Sequence, residues 1–136
     1  MEKNKLSKNY LITGTSSGIG NAIAKYLLSK KHKVIGISRS ERNINNKNYI
    51  HIMEDISNRD CGKKVLEILV ANKIKLDGMV NNAGINMPNK FDKISRTDYD
   101  KIMDVNLAGP FFLTQKITNR FNKQGSIVNI SSFSSI

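Results

Sequence analysis

The chemistry most easily read in this 136-residue chain lies in Gly14-Thr15-Ser16-Ser17-Gly18-Ile19-Gly20, between a β-branched run and a helical pattern. Glycine suits a place where backbone must approach an anion that a side chain would block. The helix that follows offers unpaired N–H groups and the positive end of its dipole to that anion. Ser16 and Ser17 add hydroxyl donors. The turn suits a pyrophosphate. Its spacing is not G-x-G-x-x-G, and it lacks the lysine of a nucleoside-triphosphate loop. A plain Gly/Ser surface loop is the alternative, and the strand–turn–helix setting weighs against it.

A second spacing concerns Asn106. Pro110 follows four residues later inside a helical pattern. Proline has no N–H, so the Asn106 carbonyl loses its usual helical partner and must find water or another donor. A simple kink that bends the helix around the core is the bland alternative. His32 closes a Lys-rich helix end, and His51 sits in a strand with no Cys or His at ligand spacing, so no metal site is expected. Asn129-Ile130-Ser131 matches a glycosylation triplet but falls at the end of a strand.

The elements that must hold these residues alternate. Tyr10–Thr13, Val34–Ile37, Tyr49–Ile52, Met79–Asn81 and Ser126–Ile130 read as five strands. Between the first two, Ile19, Ala22, Ile23, Tyr26 and Leu27 keep the spacing of a core-facing helix. Ser57 with Asp60 could cap a second helix, buried through Cys61, Val65, Ile68 and Leu69. Ser95 with Asp98 marks a third helix start, leading into Tyr99, Ile102, Met103 and Leu107. Strands alternating with helices imply right-handed crossovers and a parallel sheet of order 3-2-1-4-5. The expected class is doubly wound α/β in one domain spanning residues 1–136.

Thr13 to Gly20 resembles the glycine motif of the short-chain dehydrogenase/reductase family. Asn81-Asn82-Ala83-Gly84 resembles that family's second motif. Asp55, Asn106 within Asp104-Val105-Asn106-Leu107, and Gly125 to Ser132 follow in family order, across essentially the whole chain. The resemblance implies a Rossmann-type NAD(P)-binding domain. It also implies hydride transfer between the cofactor and a carbonyl or alcohol substrate.

The resemblance further assigns roles. Gly14, Ser16, Ser17, Gly18, Ile19 and Gly20 would hold the pyrophosphate. Ser38 matches the position where a carboxylate would receive the ribose hydroxyls and repel a 2′-phosphate, and Arg39 follows at once. Serine removes the repulsion and a guanidinium can clamp a phosphate, so NADP(H) is favoured over NAD(H). An ordinary exposed cation is the alternative for Arg39, and Glu41 is expected to face solvent. Asp55 and the backbone of Ile56 would meet the adenine amino group, although Asp55 could also serve the start of the next helix. Asn82, Ala83 and Gly84 would wall the adenosine ribose. Asn106 would hold a relay water through its carbonyl, and Ser132, with Ser131 as its neighbour, would bind the substrate carbonyl.

The family's proton donor is a tyrosine followed four residues later by a lysine, a dozen or more residues beyond Ser132. The 136 residues hold no such pair there. Tyr26 and Lys30 have the spacing, but they belong to the first helix, where Tyr26 is expected in the buried stripe. The reading is therefore a family oxidoreductase represented by its cofactor-binding half, truncated after about the fifth strand. Alone it should be inactive. A dinucleotide-binding module without chemistry is the alternative.

Composition narrows the rest. One Cys excludes a disulfide framework and fits a reducing compartment. No stretch approaches the length of a membrane helix and no secretory signal opens the chain, so a soluble cytoplasmic protein is expected. The net charge of +11 comes mostly from lysine. Solvated surface lysines explain it best; attraction of anionic ligands or a basic polyanion-binding scaffold are lesser readings, and nucleic acid is not expected. Loss of a neighbour beyond the fifth strand would bare its edge and Phe111 or Phe112. A homo-oligomer is possible.

Overall fold

The computed structural model describes residues 6–132; most of the basic opening segment and the last four residues lie outside them. Strands β1 (Asn9–Thr13), β2 (Lys33–Ser38), β3 (Tyr49–Met53), β4 (Leu76–Asn81) and β5 (Phe121–Asn129) form one sheet of order β3-β2-β1-β4-β5. Every neighbouring pair is parallel. The order reverses between β1 and β4, so the crevice at their carboxyl ends is where such sheets bind ligands.

Helices α1 (Gly18–Ser29), α2 (Cys61–Ala71), α3 (Arg96–Met103) and α4 (Gly109–Ile117) supply the crossovers. Two apolar clusters mark two covered faces. Ile12, Val34, Ile44 and Tyr49 pack with Ala24 and Leu28 of α1. Leu11, Ile35, Ile52 and Met79 pack with Val65 and Leu69 of α2 and Leu113 and Ile117 of α4.

Four local expectations change. The buried face of α1 runs through Gly20, Ala24 and Leu28, while Ile19 and Tyr26 are 59% and 62% exposed. A Cβ on Gly20 would run into the Gly14 carbonyl and the Asn82 amide. That contact fixes the rotation of the helix and brings the residues four and eight positions on to the sheet. The Ser57–Asp60 cap is absent. Asp60 precedes α2 without a side-chain cap, and Ser57 instead donates its N–H and its hydroxyl to Asp55 Oδ1 at 2.9 and 2.7 Å. Strand β5 starts earlier, at Phe121, and a register shift against β4 separates that residue from the regular pairing that begins at Ser126.

The helix bearing Asn106 is not continuous. The Ser95–Asp98 capping box forms as expected and starts α3. Residues Asp104–Ala108 then form a π turn in which the Gly109 N–H reaches the Asp104 carbonyl. Pro110 cannot donate to the helical ladder, and the ladder changes register just before it. Tyr99 and Leu107 are 50% and 56% exposed instead of lining a buried stripe, and α3 as a whole buries none of its residues.

Candidate functional site

The carboxyl ends of β1, β2, β3 and β4 surround a cleft of about 260 Å³. It gathers Gly14, Ser16 and Ser17 from the first turn, Ser38 and Arg39 from the end of β2, Asp55 and Ile56 after β3, and Asn82, Ala83 and Gly84 after β4. These ten expected cofactor residues come from four separate parts of the sequence. Gly18 and Gly20 do not line it, and Ile19 faces a larger groove with Asn106 and Ser132.

The turn is built by close backbone approach. Gly14 and Gly18 adopt φ of +76° and +56°, a region that disfavours any side chain. A Cβ on Gly14 would lie 2.8 Å from Asn82 Nδ2 and 3.0 Å from Ala83 Cα, whereas one on Gly18 would meet nothing. The turn is therefore packed on one side and open on the other. Ser17 stands at the N-cap of α1 without spending its hydroxyl on a capping bond. The open backbone, the free hydroxyl and the helix start fit a bound phosphate.

Residues outside the sequence expectations hold this shape. The Thr13 hydroxyl accepts from the backbone N–H of Asn82 and of Ala83 at 3.0 and 2.9 Å. The Asn82 side chain donates to the carbonyls of Thr13 and Gly14 at 3.0 and 3.2 Å. Asn21 donates to the Thr15 carbonyl at 3.0 Å, and Asn43, in the segment between β2 and β3, donates to the Ser16 carbonyl. Pairing of a threonine at the end of one strand with an asparagine at the end of its sheet neighbour is the sequence signal that could have revealed the first two.

At the other end of the cleft Ser38 is buried and donates to the Ser40 carbonyl at 3.2 Å, whereas Arg39 and Glu41 are exposed. Burial raises the pKa of the Asp55 carboxyl, but the Ser57 hydrogen bonds and the charges of Arg39 and Lys101 outweigh it and leave it below the ordinary value. Asp55 is thus an anion with one oxygen committed to the Ser57 turn. Cys61 lies close by, but burial, with the charges of Glu54 and Asp55, pushes its thiol up to about 11, which makes it a poor nucleophile.

Asn106, Ser131 and Ser132 border the larger groove, of about 1190 Å³, beside Asn82, Ala83 and Gly84. The Asn106 side chain is fully engaged. Its Oδ1 accepts from Ile85 N and its Nδ2 donates to Ile85 O, both at 2.8 Å. This two-point clamp ties the π turn to the segment after β4, and only the backbone carbonyl of Asn106 is left for other work. Tyr26 and Lys30 lie at the far end of α1 from the glycine turn, with the Lys30 ammonium 5.5 Å from the Tyr26 ring centre. No cluster of metal-ligating residues exists among the described residues.

Comparison with known proteins points the same way. Residues 8–136 match the family model described as short chain dehydrogenase. The chain is 32% identical to sorbitol-6-phosphate 2-dehydrogenase of Klebsiella pneumoniae over 93% of its own length and 52% of the relative's. It is also 32% identical to the NADPH-dependent pterin aldehyde reductase of Arabidopsis thaliana, over 93% and 57%. A short chain dehydrogenase from Leptospira borgpetersenii with bound NAD+ superposes with a TM-score of 0.81 at 30% identity, covering 90% of this chain and 50% of that one. The chain thus spans about half the length of the curated relatives it matches.

Proposed function

The chain belongs to the short chain dehydrogenase family, and from that premise we propose that its cleft binds a dinucleotide, NADP(H) in preference to NAD(H), as part of an oxidoreductase acting on a carbonyl or alcohol substrate. One observation carries the reading: four strand ends bring ten expected cofactor residues into a single cleft, next to a turn that is packed at Gly14 and open at Gly18. The order reversal between β1 and β4 lies beneath it. The preference rests on Ser38 and Arg39. No carboxylate stands at the end of β2 to repel a 2′-phosphate, and the exposed guanidinium is free of any ion pair shorter than 4.0 Å among the described residues.

The bound dinucleotide supplies or accepts the hydride. This chain's residues bind and orient. The turn from Gly14 to Gly20 holds the pyrophosphate, Arg39 the 2′-phosphate, Asp55 and the Ile56 backbone the adenine, and Asn82 to Gly84 the ribose wall. Ser132 donates to the substrate carbonyl, and the Asn106 carbonyl holds a water. A general acid normally contributes about 10²–10⁴ in rate, and these 136 residues carry no tyrosine beyond Ser132.

Calorimetric titration of the protein with NADP+ and NAD+ tests the cofactor reading. Tighter binding of NADP+, reduced about tenfold by Arg39→Ala through loss of a charge-assisted phosphate contact, is expected. Equal affinities before and after the substitution would count against it. The folded 136-residue segment, mixed with NADPH and a panel of carbonyl compounds, should show no loss of NADPH absorbance.

A further inference from the structure

A chain of side chains, buried at its Thr15–Tyr49 end, links the glycine turn to the loop that carries Arg39. The Thr15 hydroxyl, fully buried, lies 2.8 Å from the Tyr49 hydroxyl. The Tyr49 hydroxyl lies 3.2 Å from His51 Nδ1, and His51 Nε2 lies 2.9 Å from the Ser40 carbonyl. Tyr49 and His51 stand two apart on β3 and so face the same side of the sheet. Gly36, their neighbour on β2, makes the link possible, because a Cβ there would collide with the Tyr49 hydroxyl and lie 2.7 Å from Thr15 Oγ1.

The direction of the bonds follows from chemistry. A carbonyl only accepts, so His51 donates to Ser40 through Nε2–H. In the neutral ring Nδ1 is then an acceptor, and the Tyr49 hydroxyl donates to it. The Tyr49 oxygen in turn accepts from Thr15, which leaves no buried hydroxyl without a partner. Burial, set against the Thr15 hydrogen bond and the Arg42 charge, raises the Tyr49 pKa, so the residue stays a phenol at neutral pH. The Ser40 carbonyl receives a second bond from Ser38 at 3.2 Å. Arg39 lies between the two residues that bond closes. Its backbone is therefore held by an anchor whose other end is the phosphate-binding turn.

We propose that Tyr49 and His51 are positioning residues that aim Arg39 at the 2′-position of the adenosine ribose and so set the choice between NADP and NAD. This rests on the cofactor reading given above. Neither residue touches the ligand; both act through Ser40 and Thr15. Loss of the link frees the loop, and the guanidinium then spends its binding on ordering itself. NADP+ suffers from this, while NAD+, which has no 2′-phosphate, does not.

The test measures dissociation constants for NADP+ and NAD+ on the full-length gene product by titration calorimetry. The variants are Tyr49→Phe, His51→Leu, His51→Gln and Arg39→Ala, with the double variant His51→Leu/Arg39→Ala. Tyr49→Phe and His51→Leu should each lower the NADP+ to NAD+ affinity ratio about five- to tenfold, the scale of one or two lost hydrogen bonds. His51→Gln should restore it, since the amide oxygen can accept from Tyr49 and the amide nitrogen donate to Ser40. Once Arg39 is Ala, His51→Leu should change the ratio no further. A high wild-type ratio, lost in Arg39→Ala but unmoved in Tyr49→Phe and His51→Leu, would overturn the inference alone. So would equal loss of both dinucleotides, which marks a merely structural role. A wild-type ratio of one would remove the cofactor reading together with it. If Tyr49→Phe fails to fold, the less buried His51 and its Gln variant decide the question.

Discussion

Glycine carries two different requirements in the first turn, and substitution separates them. Gly20 has an ordinary backbone but no space: its missing Cβ is where the Gly14 carbonyl and the Asn82 amide sit. Gly18 has space but a φ of +56°. Gly20→Ala must push backbone against backbone, so it should cost about 1–3 kcal/mol by overpacking and weaken dinucleotide binding with it. Gly18→Ala should cost about 1 kcal/mol, the penalty for a left-handed L-residue. Thermal denaturation and cofactor titration of the two variants check the order; a harmless Gly20→Ala would mean that the turn and helix are not in contact there. These glycines were legible in the sequence because their spacing is dictated by the backbone itself. Thr13, Asn21 and Asn43 were not, since each acts by a single hydrogen bond to a residue whose nearness only the folded chain reveals. The Asn106 side chain was missed for a related reason. Pro110 drew attention to its carbonyl, whereas its amide is what pairs with Ile85.

Among the elements, the strands were the most legible, because short β-branched runs bounded by turns leave little choice and the parallel order follows from the crossovers. Helix faces were less so. An apolar stripe on α1 can be drawn through Tyr26 or through Ala24 and Leu28, and only the contact at Gly20 decides. Helix ends were the least legible. Both α1 and α2 close in the same way: the N–H groups of Lys31 and His32 reach the carbonyls of Leu28 and Leu27, and those of Lys73 and Ile74 reach Val70 and Leu69. This is the pattern glycine normally completes, yet Lys31 and Lys73 hold φ of 64° and 53°. Sequence gives no sign of it when lysine occupies the position. Lys31→Gly and Lys73→Gly should therefore each stabilise the fold by about 0.5–1 kcal/mol, the relief of left-handed strain less the entropy glycine loses. A rise in melting temperature for the glycine variants, absent for alanine at the same positions, is the expected outcome.

For the molecule as a whole, the sheet order ends in β3 on one side and β5 on the other, and neither has a strand beyond it among the described residues; at the β5 edge a row of N–H and C=O groups is left unpaired. Apolar side chains lie near that edge: Ile127 and Val128 are 43% and 51% exposed, and Phe111 of α4, 59% exposed, borders the same groove as Ile127, its ring edge to face with that of Phe112 at 5.1 Å between centres. An unpaired edge beside an apolar patch favours pairing with another chain. A net charge of +11 opposes it, because like-charged copies repel over roughly a Debye length, about 10 Å at 0.1 M salt. The two effects respond oppositely to salt. Sedimentation of the 136-residue chain should accordingly show mass rising with protein concentration, and rising further as salt screens the charge. Ile127→Lys with Val128→Lys places cations on both faces of the edge strand and should return the monomer under the same conditions. Association driven by charge would instead weaken with salt, and a monomer at every salt concentration would mean that neither the edge nor the exposed phenylalanines recruit a second chain.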